Sequence, residues 1–149
     1  MLRHPTPARA IVCDLSIAHV ADSGERVWIP ATFRFEPSDP FAVTLIIQVS
    51  DDHSVEWIFA RQLLADGARR AVGEGDVHIR PAFHAGERVL VLTLSSPSGH
   101  ATLELPQERV EKFVRQTYEA VPAELESAAI DWEAELGALL RPGHGVGEA

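Results

Sequence analysis

The sequence predicts an α+β fold in which a curved antiparallel sheet packs against helices near the C-terminus. Three observations lead to this prediction. Segments of alternating apolar and polar residues, joined by short turns, fill residues 11–59. A short run of helix formers follows at 61–66, and helical spacing of apolar residues begins after Pro106. Strands grouped before helices in this way are typical of an α+β domain.

Four strands are predicted first, because apolar side chains recur at every second position. They cover residues 11–17, 27–35, 43–49 and 55–59. Pro30 lies within the second strand and has no N–H to donate, which predicts an edge position or a bulge there. Short turns link the four segments, so we expect an antiparallel meander.

The middle of the chain predicts a short helix followed by about three more strands. Arg61–Asp66 contains good helix formers and stops at Gly67, which fits the residue just beyond a helix end. Residues 68–75 are predicted to be a loop, with a tight glycine turn at Gly73-Glu-Gly-Asp76. The strands that follow cover 77–81, 88–95 and 101–105, and Ser96–Gly99 forms a hairpin turn between the last two.

The C-terminal region predicts helices. Pro106 fits the first helical position, and Val110, Phe113, Val114 and Tyr118 recur at helical spacing until Val121-Pro122. Asp131 is a candidate N-cap for a second amphipathic helix. We therefore expect a flexible N-terminus at 1–9, one domain over 10–140 and a flexible tail at 141–149.

Composition restricts the class of protein. The chain has 149 residues, 46% of them hydrophobic, and a net charge of −9 with a single lysine. This charge disfavours nucleic-acid binding and repels anionic membrane surfaces. Apolar runs are far shorter than the roughly 20 residues of a membrane span, and the lone Cys13 fits a reducing compartment. We expect a cytoplasmic protein without membrane insertion.

No arrangement of residues points to catalysis, a cofactor or a metal. Asp51, Asp52, His53 and Glu56 are possible ligands, but a solvated acidic turn explains them better. The glycine turn at 73–76 lacks the Lys-Ser/Thr of a phosphate-binding loop. Cys13 has the position of a small buried residue. We expect no enzyme activity.

Three apolar residues do not fit the buried face of their strands. Trp28, Ile46 and Ile58 fall on the face opposite to the regular apolar one. Either a helix covers them or they form an exposed patch of the kind that marks an interaction site. They are our candidate protein-interaction residues, with both interpretations open.

Six short motifs, in order, resemble the SsgA-like family of sporulation and cell-division proteins. They are Asp39-Pro-Phe-Ala-Val43, Val55–Gly67, Gly73-Glu-Gly-Asp-Val77, Leu94–Gly99, Phe113-Val-Arg-Gln-Thr117 and Val121-Pro122. Each is weak alone, but six in order and at suitable spacing are strong, and the resemblance covers about residues 10–140. One departure is Phe41, where the family commonly has tyrosine.

The resemblance implies two curved antiparallel sheets in a pseudo-barrel like that of the whirly single-stranded nucleic-acid-binding proteins, packed on C-terminal helices. It also implies a non-enzymatic regulator that helps position septa by recruiting the tubulin-like protein FtsZ and SsgA-like partners. Self-association, with a trimer favoured, and recruitment to division septa are expected. Single-stranded nucleic-acid binding is the alternative that the fold suggests, although fold alone does not fix function.

Overall fold

The computed structural model describes residues 9–125, so the predicted helix after Asp131 and most of both expected flexible ends lie outside the described residues. Within them, the elements in chain order are β1 (Ile11–Val20), β2 (Arg26–Phe35), β3 (Ala42–Ser50), β4 (His53–Ala60), α1 (Arg61–Gly67), β5 (Val72–Glu74), β6 (Val77–His84), β7 (Glu87–Ser96), β8 (Gly99–Pro106) and α2 (Gln107–Ala120). The predicted α+β class and the four-stranded meander are confirmed.

The strands form one antiparallel sheet in the order β4-β3-β2-β1-β8-β7-β6-β5, rather than the two sheets expected. Each half is a meander of sequence neighbours. The halves are joined at Ala18, His19 and Val20 of β1, which pair with Glu104, Leu103 and Thr102 of β8. The earlier residues of β1 leave β8, and α2 packs against β1, β7 and β8. This short joint is what makes one sheet of two halves.

The inner face of the sheet carries the core. Alternate residues of both halves belong to one apolar cluster, which also includes residues of α1 and α2, so the sheet curls into a half-barrel around them. Phe113 of α2 stacks on Phe33 of β2 with ring centroids 5.3 Å apart. Burying each such side chain stabilises the fold by about 1.5–3 kcal/mol.

Two of the strand prolines, Pro30 and Pro81, lie where one side of the strand has no partner. β2 lies between β3 and β1 and is not an edge strand, but its pairing with β3 starts only at Ala31, which leaves that side of Pro30 without a ladder partner. The predicted end of a strand at Pro81 is wrong. β6 continues to His84 because β5 pairs only with Val77–Ile79 and leaves the N–H side of Pro81 without a ladder partner.

Two predicted helix ends are displaced. Gly67 is the last residue of α1 rather than the residue beyond it, and Ala68 follows in right-handed helical geometry. A Cβ atom on Gly67 would overlap Cγ2 of Ile79, so the glycine permits close packing of α1 on β6. Pro106 is the extended N-cap of α2, not its first helical residue.

Candidate protein-interaction surface

The three candidate interaction residues all lie on the outer face of the sheet. Trp28 is 64% exposed and Ile58 is 65% exposed, whereas Ile46 is half-buried. Of the two interpretations left open, α2 does not cover Trp28 or Ile58, because it packs beside β1 and contributes Phe113 to the inner core.

Ile46 and Ile58 are neighbours on β3 and β4. Ile46 is opposite Glu56, and Ile58 is opposite Thr44, so the two isoleucines are diagonal across the strand pair. Diagonal side chains on one face of an antiparallel pair are about 7–8 Å apart. These two residues are therefore neighbours on the outer face, and we call the pair the β3–β4 patch.

Trp28 stands apart from that patch. It pairs with Ala18 and precedes Thr32, the partner of Ile46, by four residues. At about 3.3 Å per residue, this places it roughly 13 Å away along β2. Trp28 instead borders a groove beside the first turns of α2, with three arginines and four glutamates in its lining: Arg88, Arg109, Arg115, Glu87, Glu104, Glu108 and Glu111. The structure thus brings together only two of the three predicted residues.

β4 exposes apolar side chains on its inner face as well, which the sequence interpretation missed. Burial decreases along β4 from Phe59, which is buried, to Trp57, which is half-buried, and to Val55, which is exposed. Val55 and Trp57 line an open cavity of about 460 Å³ at one end of the half-barrel. Its other apolar walls come from both halves of the sheet: Ile29, Ile47, Val49, Leu94, Ala101 and Leu103. We call this cavity the mouth.

The surroundings of β4 are acidic. Asp51 and Asp52 are exposed in the turn that precedes the strand, and Glu56 is exposed on the outer face between Ser54 and Ile58. Along the strand itself, His53 is the one side chain that can carry positive charge. An apolar surface with a negative border therefore occupies this edge of the sheet.

Buried Arg61 holds the end of β4 against α2. It is the first residue of α1 and is fully buried. Its Nη1 donates hydrogen bonds to the backbone carbonyls of Thr117, at 2.9 Å, and Val121, at 2.8 Å. The guanidinium lies 3.9 Å from the ring centroid of Tyr118 and 5.1 Å from that of Phe35. Arg61 thereby fixes the junction between β4 and α1 against the end of α2.

The described part of the chain offers no cluster suited to a metal ion. Between residues 9 and 125, no group of three or more His, Cys, Asp and Glu side chains is arranged to hold one. Cys13 is half-buried against the core, near the guanidinium of Arg109. Over the same residues, neither helix has the length and apolar character required to cross a membrane.

Comparison with known proteins identifies relatives that share most of the chain. Residues 29–126 match the family described as "Streptomyces sporulation and cell division protein, SsgA". A sporulation-specific cell division protein of Frankia casuarinae is 49% identical over 142 residues, which cover 95% of this chain and 97% of that protein. The protein SsgB of Streptomyces coelicolor is 38% identical, with 87% of this chain and 95% of that protein covered.

A solved structure agrees with these sequence matches. The crystal structure of an SsgA-like sporulation-specific cell division protein from Thermobifida fusca superimposes with a TM-score of 0.78 at 36% identity, covering 90% of this chain and 98% of that one. The half-barrel and the order of its elements are therefore shared with that protein. The chain belongs to the SsgA family of sporulation and cell division proteins.

Proposed function

We propose that this chain is a non-enzymatic regulator of sporulation-specific cell division, which helps position septa by binding FtsZ and SsgA-like division proteins and recruiting them there. The observation that carries the proposal is the β3–β4 patch, with Ile58 65% exposed at an open side of the sheet. Membership in a cell-division family supports the role, and the resemblance of the motifs supports these particular partners.

An exposed aliphatic side chain beside other apolar groups favours protein contact. A single exposed isoleucine is ordinary, but Ile58 is next to Ile46 on the outer face, and β4 also exposes Val55 on the inner face. Removing such side chains from water provides the main free energy of association.

Trp28 is the basis for the second part of the proposal, self-association. It lies about 13 Å from the β3–β4 patch, so a contact there leaves that patch open to a different partner. Tryptophan is enriched among residues that dominate the binding free energy of interfaces. A trimer in which Trp28 is buried would present several β3–β4 patches, and multivalent binding to a polymerising partner would follow.

Single-stranded nucleic-acid binding, which a whirly-like fold suggests, receives less support. An exposed tryptophan can stack on a base. The groove beside Trp28 nevertheless contains more carboxylates than guanidinium groups, and Arg88 is paired with Glu111 at 3.1 Å. Phosphate groups would be repelled from such a lining.

A direct binding assay tests the proposal. The full chain is immobilised and titrated with purified FtsZ and, separately, with an SsgA-like protein of the same organism. We expect saturable binding by the wild type and at least about tenfold weaker binding by Ile58→Lys, because a new charge must then be desolvated. Phe83→Lys is the matched control, since Phe83 is 74% exposed on β6, in the other half of the sheet.

The controls separate the possible failures. Circular dichroism must show that each variant is folded. If the folded wild-type protein binds neither partner, the proposed function is wrong. If it binds, but Ile58→Lys and Phe83→Lys bind equally well, the function stands and the assignment of the surface is wrong.

A further inference from the structure

The two edges of the sheet are protected very differently. On one side, β5 has only three residues, and the stretch of β6 beyond it contains Arg80 and Pro81. Short strands, prolines and charges are the usual means by which proteins prevent unwanted strand pairing. On the other side, β4 has eight residues and contains neither proline nor lysine. Within residues 9–125, β4 is therefore the open edge.

The open edge also has recognition features on both faces. The side chains of residues 53–56 and of Ile58 are exposed. Among the described residues, β3 is the only strand with which β4 pairs. Alternate backbone N–H and C=O groups of an edge strand have no ladder partner. On the inner face, Val55 and Trp57 open into the mouth; on the outer face, Glu56 and Ile58 follow each other.

We propose that β4 binds an extended segment of another protein as an additional strand, with apolar residues at alternate positions and basic residues between them. This inference deepens the proposed function, on which it rests, by specifying how a partner is held. In strand addition, main-chain hydrogen bonds provide affinity, and pockets for alternate side chains provide specificity.

The two faces of β4 define the side chains of the added strand. Apolar side chains pointing inwards would enter the mouth, whose volume of about 460 Å³ is enough for several of them. Lysine or arginine side chains pointing outwards would meet Glu56, and their aliphatic stems would cross Ile58. Asp51 and Asp52 at the end of the strand add to the attraction for a basic segment.

Charge favours a different protein over a second copy of this chain. Pairing of two β4 edges would bring together two sets of Asp51, Asp52 and Glu56 in molecules whose net charge is −9 each. Like charges across a strand pair are destabilising. A basic segment replaces this repulsion by attraction.

The test uses an eight-residue peptide of alternating valine and lysine with blocked ends. The peptide is added to the full chain at a concentration of about ten times the Kd of their complex. Backbone amide hydrogen exchange is followed by NMR. We expect the β4 amides that point away from β3 to exchange about tenfold more slowly, since bound and free protein are then present at about ten to one. The Ile58→Lys variant should bind about twofold to fivefold more weakly, and Phe83→Lys should bind as the wild type does.

Two N-methylated peptides test the main-chain contacts, one methylated at the valines and one at the lysines. Only alternate N–H groups of an added strand face β4, so one version should lose binding and the other should keep it. Equal binding by both versions would overturn strand addition, as would slowed exchange confined to residues outside β4. Equal binding of a valine–glutamate peptide would overturn the charge argument.

Self-association at the edge is a further outcome to be measured. If amide exchange in β4 becomes slower as the protein concentration is raised without peptide, and light scattering shows the mass of a dimer, a second copy occupies the edge. The inference is then wrong. If no peptide binds while FtsZ still binds in the assay above, strand addition fails and the proposed function remains.

Discussion

Arg61, the first residue of α1, donates a hydrogen bond of 2.9 Å to the backbone carbonyl of Thr117, in the last turn of α2. The two residues are 56 positions apart in the chain. A positive charge at this place meets the negative end of the α2 dipole and gives the Thr117 carbonyl, which also accepts the N–H of Val121, a second donor. One side chain therefore ties the centre of the sequence to the C-terminal end of α2.

Replacing Arg61 by methionine should destabilise the fold by about 2–4 kcal/mol, because the carbonyls of Thr117 and Val121 would lose a buried charged donor. Lysine should recover only part of the loss, since an ammonium group cannot stack flat between Phe35 and Tyr118. Urea unfolding followed by tryptophan fluorescence measures both changes. Arg34→Met, at an exposed ion pair, serves as control and should change stability by less than about 0.5 kcal/mol.

Gly67→Ala should destabilise the protein by about 1–3 kcal/mol, because the new methyl group would overlap Ile79 in the packed contact between α1 and β6. Alanine normally stabilises a helix interior relative to glycine, so the sign itself is informative. Thermal unfolding by calorimetry measures the change. The double variant Gly67→Ala, Ile79→Ala should show coupling, whereas strictly additive effects would argue against a steric cause.

Ala85→Asn should stabilise the protein by about 0.5–1 kcal/mol. The hairpin between β6 and β7 turns through Ala85 and Gly86, with φ angles of 53° and 82°. This two-residue turn favours Asn-Gly, and alanine is strained in left-handed geometry. Gly86→Ala should have the opposite sign. An unchanged midpoint of urea unfolding for Ala85→Asn would contradict the strain.

Arg26 and Glu104 strengthen the joint between the two halves of the sheet. Two nearly parallel contacts of 3.1 Å and 2.9 Å join these partly buried side chains across β1. A double-mutant cycle with Arg26→Met and Glu104→Gln should give a coupling energy of about 1 kcal/mol. Raising the salt concentration should reduce it only slightly, since partly buried pairs are screened less than exposed ones.

Single-stranded DNA should not bind to the protein at micromolar concentration in about 50 mM salt, conditions under which phosphate contacts are strongest. Fluorescence anisotropy of a labelled oligonucleotide measures this. Saturable binding that weakens with salt and is lost in Trp28→Ala would revive the nucleic-acid alternative, because it would assign base stacking to that residue.

Local patterns predicted much of this fold. Apolar patterning located seven of the eight strands, six of them by alternation and β7 by an apolar run that is not limited to one face. It missed β5, whose three residues Val-Gly-Glu are too few to show a period. The joint between β1 and β8 was also beyond prediction, since three residue pairs far apart in sequence decide whether there are two sheets or one.

The candidate site was less accessible to sequence reasoning. Alternation placed Trp28, Ile46 and Ile58 on the outer face, but it does not reveal what covers that face; the packing of α2 does. The sequence identifies Arg61 only as the start of a run of helix formers. Its burial depends on the carbonyls of α2, which come next to it only when the chain is folded. The open edge at β4 likewise requires the strand order.

That strand order also sets the sequence of events during synthesis on the ribosome. The first meander can form as soon as residue 60 has emerged, but the central position of β1 is completed only by β8, whose last residue is 106. In the interval, the nascent chain presents β1 as well as β4 as unpaired edges. Such edges are where growing chains associate wrongly. Chaperone contact in this window would protect a strand that the finished protein hides at its centre.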